Sequence, residues 1–119
     1  MLYIAESPKK GRGVFTDQII EPGEIIERCP VIILGEQDVP HIRRTQLNYY
    51  YYLWGEDETV GVIVLGYGSL YNHAFEPNAA WRNLYPEKII EYYAIDRIHS
   101  GNEILINYDT DYVIELGFK

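Results

Sequence analysis

Cysteine is almost missing: Cys29 stands alone in 119 residues. One thiol cannot close a disulfide within the chain, nor build a cysteine-ligated zinc site. A reducing compartment is the natural home for such a chain. Three histidines, His41, His73 and His99, show no metal-ligand spacing, so no metal is expected. Basic residues are also scarce, ten Lys and Arg against eighteen Asp and Glu, a formal charge of −8. That surface repels phosphate backbones and anionic lipid and favours basic partners. Lys9-Lys10 and Arg43-Arg44 are too small to make a nucleic-acid stripe. No apolar run approaches the ~20 residues that span a bilayer. The opening Met1-Leu2-Tyr3-Ile4-Ala5-Glu6 meets a charge too soon for a signal peptide. An intracellular protein, cytoplasmic or nuclear, is the expectation.

What the chain does have is apolar and aromatic material. It is 47% hydrophobic and 14% aromatic, with twelve tyrosines. A chain of this length makes one domain, here residues 1–119, and buries roughly two-thirds of its unfolded surface. Short β-rich segments alternate with turns, and no segment carries a sustained helical stripe, so the fold class is mostly β with few short helices. Glu21-Pro22-Gly23-Glu24 places Pro and Gly at the centre of a type II turn. Val60 to Leu65 is a strand by its β-branched content. Pro30 suggests an edge or a break before Val31-Ile32-Ile33-Leu34. The run Tyr49-Tyr50-Tyr51-Tyr52-Leu53-Trp54 reads as a short helix or a strand, because periodicity does not separate the two. Residues 19–25 and 98–104 echo each other, each a strand, a glycine turn and a strand entered by Glu.

Three segments could carry chemistry. Lys10-Gly11-Arg12-Gly13 lets backbone approach a ligand closely, but lacks the third glycine and helix of a dinucleotide site. Asn72-His73, with Pro77-Asn78 behind it, offers donors and acceptors, although such pairs are commonly hydrogen-bonded core and Asn78 could simply close a turn. Glu103-Ile104-Leu105-Ile106-Asn107-Tyr108 is a strand ending in a tyrosine, one of many that could line a cation-attracting pocket.

In this order, Lys10-Gly11-Arg12-Gly13-Val14-Phe15, Ser69 to Asn78 and Gly101 to Tyr108 resemble the SET domain, the protein-lysine methyltransferase family. The turn at Pro22-Gly23-Glu24 fits as well, and the resemblance spans about residues 2 to 112. It implies several short sheets with a β-clip-like arrangement and a C-terminal pseudoknot. It implies S-adenosylmethionine as methyl donor, held by Lys10, Gly11, Arg12, Gly13, Asn72, His73 and Tyr112. Tyr108 is implied as the catalytic tyrosine, with Tyr52 as the second channel tyrosine and Tyr51 or Tyr50 as alternatives in register. Tyr67, Trp81 and Ile106 would line the lysine channel. The implied substrate is a lysine-rich segment such as a histone tail, steered by the acidic surface, with Asp109, Asp111 and Glu115 as rim.

Departures from the family pattern are local. Ala74 and Phe75 follow Asn-His where Ser and Cys are common, and Asn107 stands where Asp often precedes the tyrosine. No cysteine clusters flank the domain, so the wall that a following zinc module would supply falls to residues 109–119, with Tyr112 and Phe118 as its aromatics. This resembles the minimal stand-alone members of viruses and microbes, some of which are homodimers. Ile106, two residues before Tyr108, replaces a Phe or Tyr and leaves room for di- or trimethylation. Two other readings stay open: an inactive module that binds basic peptides, and a methyltransferase of a non-histone protein.

Overall fold

The computed structural model describes residues 1–8, 11–54 and 60–108. Strands β1 (Leu2–Ser7) and β2 (Gly11–Thr16) form an antiparallel hairpin, in register from Leu2 opposite Thr16 to Ser7 opposite Gly11. The main sheet is antiparallel throughout and has five strands: β3 (Ile25–Leu34), β4 (Tyr52–Trp54), β5 (Val60–Val64), β7 (Ala79–Leu84) and β8 (Ile89–Ala94). Their spatial order is β4-β5-β3-β8-β7. Two short strands, β6 (Asn72–His73) and β9 (Leu105–Ile106), pair in parallel apart from it.

Pro30 neither ends a strand nor lies on an edge. Strand β3 runs through it and changes partner there: residues 25–30 pair with β8, and Val31–Leu34 pair with β5 on the other side. A proline fits at this changeover because the ladder asks for its carbonyl, which accepts from Leu65 N at 3.0 Å, and not for an N–H. The turn at Glu21-Pro22-Gly23-Glu24 forms as its chemistry requires. Gly23 takes φ +88°, and Glu24 N donates to Glu21 O at 3.0 Å. The echo of this turn also has its glycine, Gly101, at φ +88°. The two similar segments lie against each other, with Ile20 and Ile98 exchanging backbone bonds of 2.9 and 2.8 Å.

The tyrosine run takes both conformations in succession. A 3-10 turn over Gln46–Tyr49 is capped by the Thr45 hydroxyl, which accepts from Leu47 N. The chain then straightens into β4, which pairs with β5 from Tyr52 opposite Val62. Among the described residues, the other helical pieces are α1 (Val39–Ile42) and a 3-10 turn at Gly68–Leu70.

One apolar core joins the sheet to the β6–β9 layer. Val14, Cys29, Val62, Tyr71, Ala79, Ile90, Tyr92, Ile98, Ile104 and Ile106 are all essentially sealed from water. Burial and the neighbouring Glu27 carboxylate push the Cys29 thiol well up, so it packs as a small neutral hydrophobe. On the other face of β8, Glu91 is covered by Arg28 and Arg82, whose Nε atoms donate to its two carboxylate oxygens at 2.7 and 2.6 Å. Those bonds, Arg28's first, hold its carboxyl below the usual range.

Candidate active site

Asn78 fixes the position of β9. Its Nδ2 donates to Glu103 O at 2.9 Å, and its Oδ1 accepts from Leu105 N at 2.8 Å. Its backbone N–H donates to Leu105 O at 3.2 Å, and its carbonyl accepts from Ile95 N at 2.9 Å. One side-chain amide thus replaces the missing ladder on that side of β9, as a buried strand requires. On the other side, β9 pairs with β6 through Asn72 opposite Leu105 and His73 opposite Ile106.

This pairing delivers Tyr108 to the His73 ring. Tyr108 N–H donates to His73 Nδ1 at 3.1 Å, so the neutral imidazole carries its proton on Nε2. The His73 ring is buried, edge-on to Phe75 at 4.6 Å and tilted against Tyr108 at 5.3 Å. The Tyr108 hydroxyl donates to the carbonyl of Tyr71.

Tyr52 arrives from β4 to complete an aromatic group. Its ring is edge-on to Trp81 at 5.6 Å and to Tyr108 at 6.4 Å. Its hydroxyl donates to Gly68 O at 2.9 Å, and Tyr92 donates to the same carbonyl at 3.2 Å. The backbone that accepts these hydroxyls is held from below by Glu27. That carboxylate accepts from Tyr71 Oη at 2.7 Å and from Tyr67 N at 3.1 Å. Gly66, at φ +67°, keeps the turn beside Glu27 open, since a Cβ there would press on the carboxylate. Burial pushes the hydroxyls of Tyr71, Tyr92 and Tyr108 far above their ordinary 10.0, so all three remain O–H groups at neutral pH.

A polar cluster lies at the other end of β6. Asn72 Nδ2 donates to Arg12 O at 3.0 Å and to Glu103 Oε2 at 2.7 Å. Ser7 Oγ donates to the second Glu103 oxygen at 2.7 Å. Gly13 makes this approach possible: a Cβ there would collide with the Glu103 carboxylate and stand 2.8 Å from Asn72 Nδ2.

The structure therefore brings Tyr52, Trp81, His73 and Tyr108 together, and Arg12, Gly13 and Asn72 together. Gly11, at φ +75°, opens β2 opposite Ser7 with its backbone exposed. Tyr67 packs against the core cluster as Tyr52, Trp81 and Tyr108 do, and its hydroxyl reaches Leu2 O at 3.5 Å. Ile106 is fully buried and packs in the core. Lys10, Tyr112, Phe118, Asp109, Asp111 and Glu115 lie outside the described residues. Sequence reasoning missed the polar supports Glu27 and Glu103 and the clamping role of Asn78. The signal for the two acids was their position: each carboxylate adjoins an apolar strand run, Ile25-Ile26 in one case and Ile104-Leu105-Ile106 in the other.

Comparison with known proteins places the chain in a family. A crystal structure of a Plasmodium falciparum protein, described as a candidate histone methyltransferase, superposes with a TM-score of 0.73 at 34% identity. The match covers 91% of this chain and 92% of that one. Chaetomium thermophilum Polycomb Repressive Complex 2, in an autoinhibited conformation bound to S-adenosylmethionine, shares the fold with a TM-score of 0.77 at 22% identity. That match covers 97% of this chain and 16% of the other. The H3 lysine-37-specific histone-lysine N-methyltransferase of Schizosaccharomyces pombe is 34% identical over 108 residues, 90% of this chain and 72% of its own. The SET domain profile matches residues 11–109, which takes in both residue groups just described: the chain belongs to the SET domain family of protein-lysine methyltransferases.

Proposed function

We propose that this chain transfers methyl groups from S-adenosylmethionine to lysine in a basic protein segment, with a histone tail as the substrate and di- or trimethyllysine as the product. The observation that supports this most is the junction made by β6 and β9. It sets Tyr108 on His73 and beside Tyr52, which itself packs against Trp81, while Asn72 faces the β1–β2 hairpin from the other end of the same two-residue strand.

The residues present suit the methyl donor. Aromatic faces attract a sulfonium, and a side-chain carbonyl at Asn72 attracts an ammonium. S-adenosylmethionine, when bound, supplies a methyl group on a cationic sulfur. The backbone of Gly11, Arg12 and Gly13 and the Asn72–His73 segment would hold it, Asn72 at its amino group and His73 near the adenine.

The reaction asks the protein for alignment more than for acid–base chemistry. Tyr108 commits its proton to Tyr71 O, and Tyr52 commits its proton to Gly68 O. With its proton committed, each hydroxyl oxygen can act only as an acceptor toward an amine N–H, which would orient the nitrogen for attack. Tyr108 is not a base in waiting: burial keeps it protonated. The incoming lysine must itself lose a proton, which desolvation and a neighbouring sulfonium favour, and water carries that proton away. Trp81 walls the channel beside Tyr52, and aliphatic Ile106 leaves volume for more than one methyl. The charge of −8 favours encounter with a Lys/Arg-rich segment. A histone substrate places the protein in the nucleus or where histones are made.

The test is mass spectrometry of core histones and of ribosomal proteins, each incubated with S-adenosylmethionine and either the protein or Tyr108→Phe. The expected result is one histone lysine gaining two or three methyl groups, with a loss of at least about a hundredfold in the variant. Methylation of ribosomal proteins alone would move the substrate to another basic protein. No methylation in either mixture would leave the enzymatic reading without support.

A further inference from the structure

Asn72 is held in one orientation by partners that can only accept. Its Nδ2 faces the carbonyl oxygen of Arg12 at 3.0 Å and Glu103 Oε2 at 2.7 Å. Neither partner has a proton to offer a carbonyl, so the reversed amide would set oxygen against oxygen at both contacts. Asn72 Oδ1 must therefore point away from the cluster, and among the described residues nothing donates to it. Glu103 is fixed in turn by the Ser7 hydroxyl at 2.7 Å, and it fits there because Gly13 has no side chain.

We infer that Glu103 is a positioning residue for the methyl donor: it locks the Asn72 amide so that Oδ1 is presented, without rotation, to the ammonium of the donor's amino-acid end. This rests on the methyl-donor reading above and deepens it. Glu103 itself touches no substrate; it acts through Asn72. The rotation that it prevents would otherwise have to be frozen out on binding, and half of the amide's orientations would offer the ammonium an N–H₂ instead of an oxygen. Ser7, Gly13, Asn72 and Glu103 then form one device, although they are spread from one end of the described chain to the other.

The test compares two nucleosides by titration calorimetry: S-adenosylmethionine, and 5′-methylthioadenosine, which has the adenosine and sulfur but no amino-acid end. Glu103→Ala should weaken S-adenosylmethionine about tenfold, the size of one charge-assisted hydrogen bond. It should leave 5′-methylthioadenosine within about twofold of wild type. Glu103→Gln should largely rescue, because its amide oxygen still accepts from Asn72 while its amide nitrogen donates to the Ser7 hydroxyl. In an Asn72→Ala background, Glu103→Ala should add no further loss. Should Glu103→Ala fail to fold, Glu103→Met keeps the volume and removes the acceptors, with the same expectation. Equal losses for both nucleosides, or none for S-adenosylmethionine, would overturn the inference and leave Glu103 as a packing residue. If the unmodified protein bound neither nucleoside, the methyl-donor reading itself would fall.

Discussion

Replacing Asn78 by alanine removes two side-chain bonds and strands two backbone groups, Glu103 O and Leu105 N. They flank Ile104, which is completely buried, so water reaches them poorly. A buried group left without its partner costs about 1–3 kcal/mol. Asn78 itself is half-buried, which lets some solvent in, so the pair should cost about 2–4 kcal/mol. Against a total stability of about 5–15 kcal/mol, that is a large fraction. At roughly 3–6 °C per kcal/mol for a chain of this size, the melting temperature should fall by about 6–24 °C. Asn78→Asp separates the two bonds. It retains an acceptor for Leu105 N but turns a carboxylate toward Glu103 O, and so should cost about 1–3 kcal/mol at neutral pH. Acid should recover part of that loss, because the protonated carboxyl can donate to the carbonyl. Urea denaturation of the three proteins, followed by circular dichroism, reads these differences directly. If Asn78→Ala lay within about 0.5 kcal/mol of wild type, the residue would be closing a turn after Pro77 and nothing more, and the account of how β9 is held would be wrong.

Alkali should destabilise the protein before it affects most side chains. Tyr71, Tyr92, Tyr108 and Cys29 all have folded-state values raised above their ordinary 10.0 and 9.0, chiefly by burial. Below about pH 8 they are neutral in both states and their contribution is constant; above it the unfolded chain ionises first, so stability is lost as pH rises. A urea midpoint that stays flat from about pH 8 to about pH 11 would contradict this. Glu27→Ala should cost about 2 kcal/mol by stranding the Tyr71 hydroxyl and the Tyr67 N–H, and Glu27→Gln less, since one acceptor oxygen survives. The same urea curves decide it; an Ala variant as stable as wild type would show that Glu27 does not hold the 67–71 segment.

Local chemistry was legible in the sequence, and long-range chemistry was not. The turn at Gly23 could be read because Pro then Gly fixes two consecutive φ values wherever the chain goes. The strand over Val60–Val64 could be read from its β-branched side chains. The four tyrosines could not be assigned from within, since four identical residues carry no period. Pairing with β5 decides the matter: Tyr51 is buried and accepts from Arg43 Nε at 3.0 Å, while Tyr52 turns toward Trp81 and Tyr108. Pro30 misled because the rule that keeps proline out of central strands assumes one continuous ladder on each side. Asn78 read as a turn former because Pro-Asn usually is one, and its actual partners are residues 103 and 105. Glu103 had the same difficulty, as Ser7 and Asn72 lie far from it in sequence. The family resemblance supplied the order of these segments, and the polar contacts between them required coordinates.

The two-residue parallel pairing of β6 with β9 bears on how folding and binding are linked. Gly13 comes from the first hairpin, Asn72 and His73 from the middle of the chain, and Tyr108 from the end of the described residues, so no short contiguous fragment contains the proposed site. A partly folded chain lacking that last pairing would keep most of the main sheet but have nothing to offer a ligand. Ligand occupancy should accordingly raise the stability of the whole domain, by an amount that grows with the logarithm of ligand concentration. Hydrogen exchange at Leu105, Ile106 and Tyr108 should then slow on ligand addition in step with the slowest-exchanging amides of β8, because opening either one dismantles the same site.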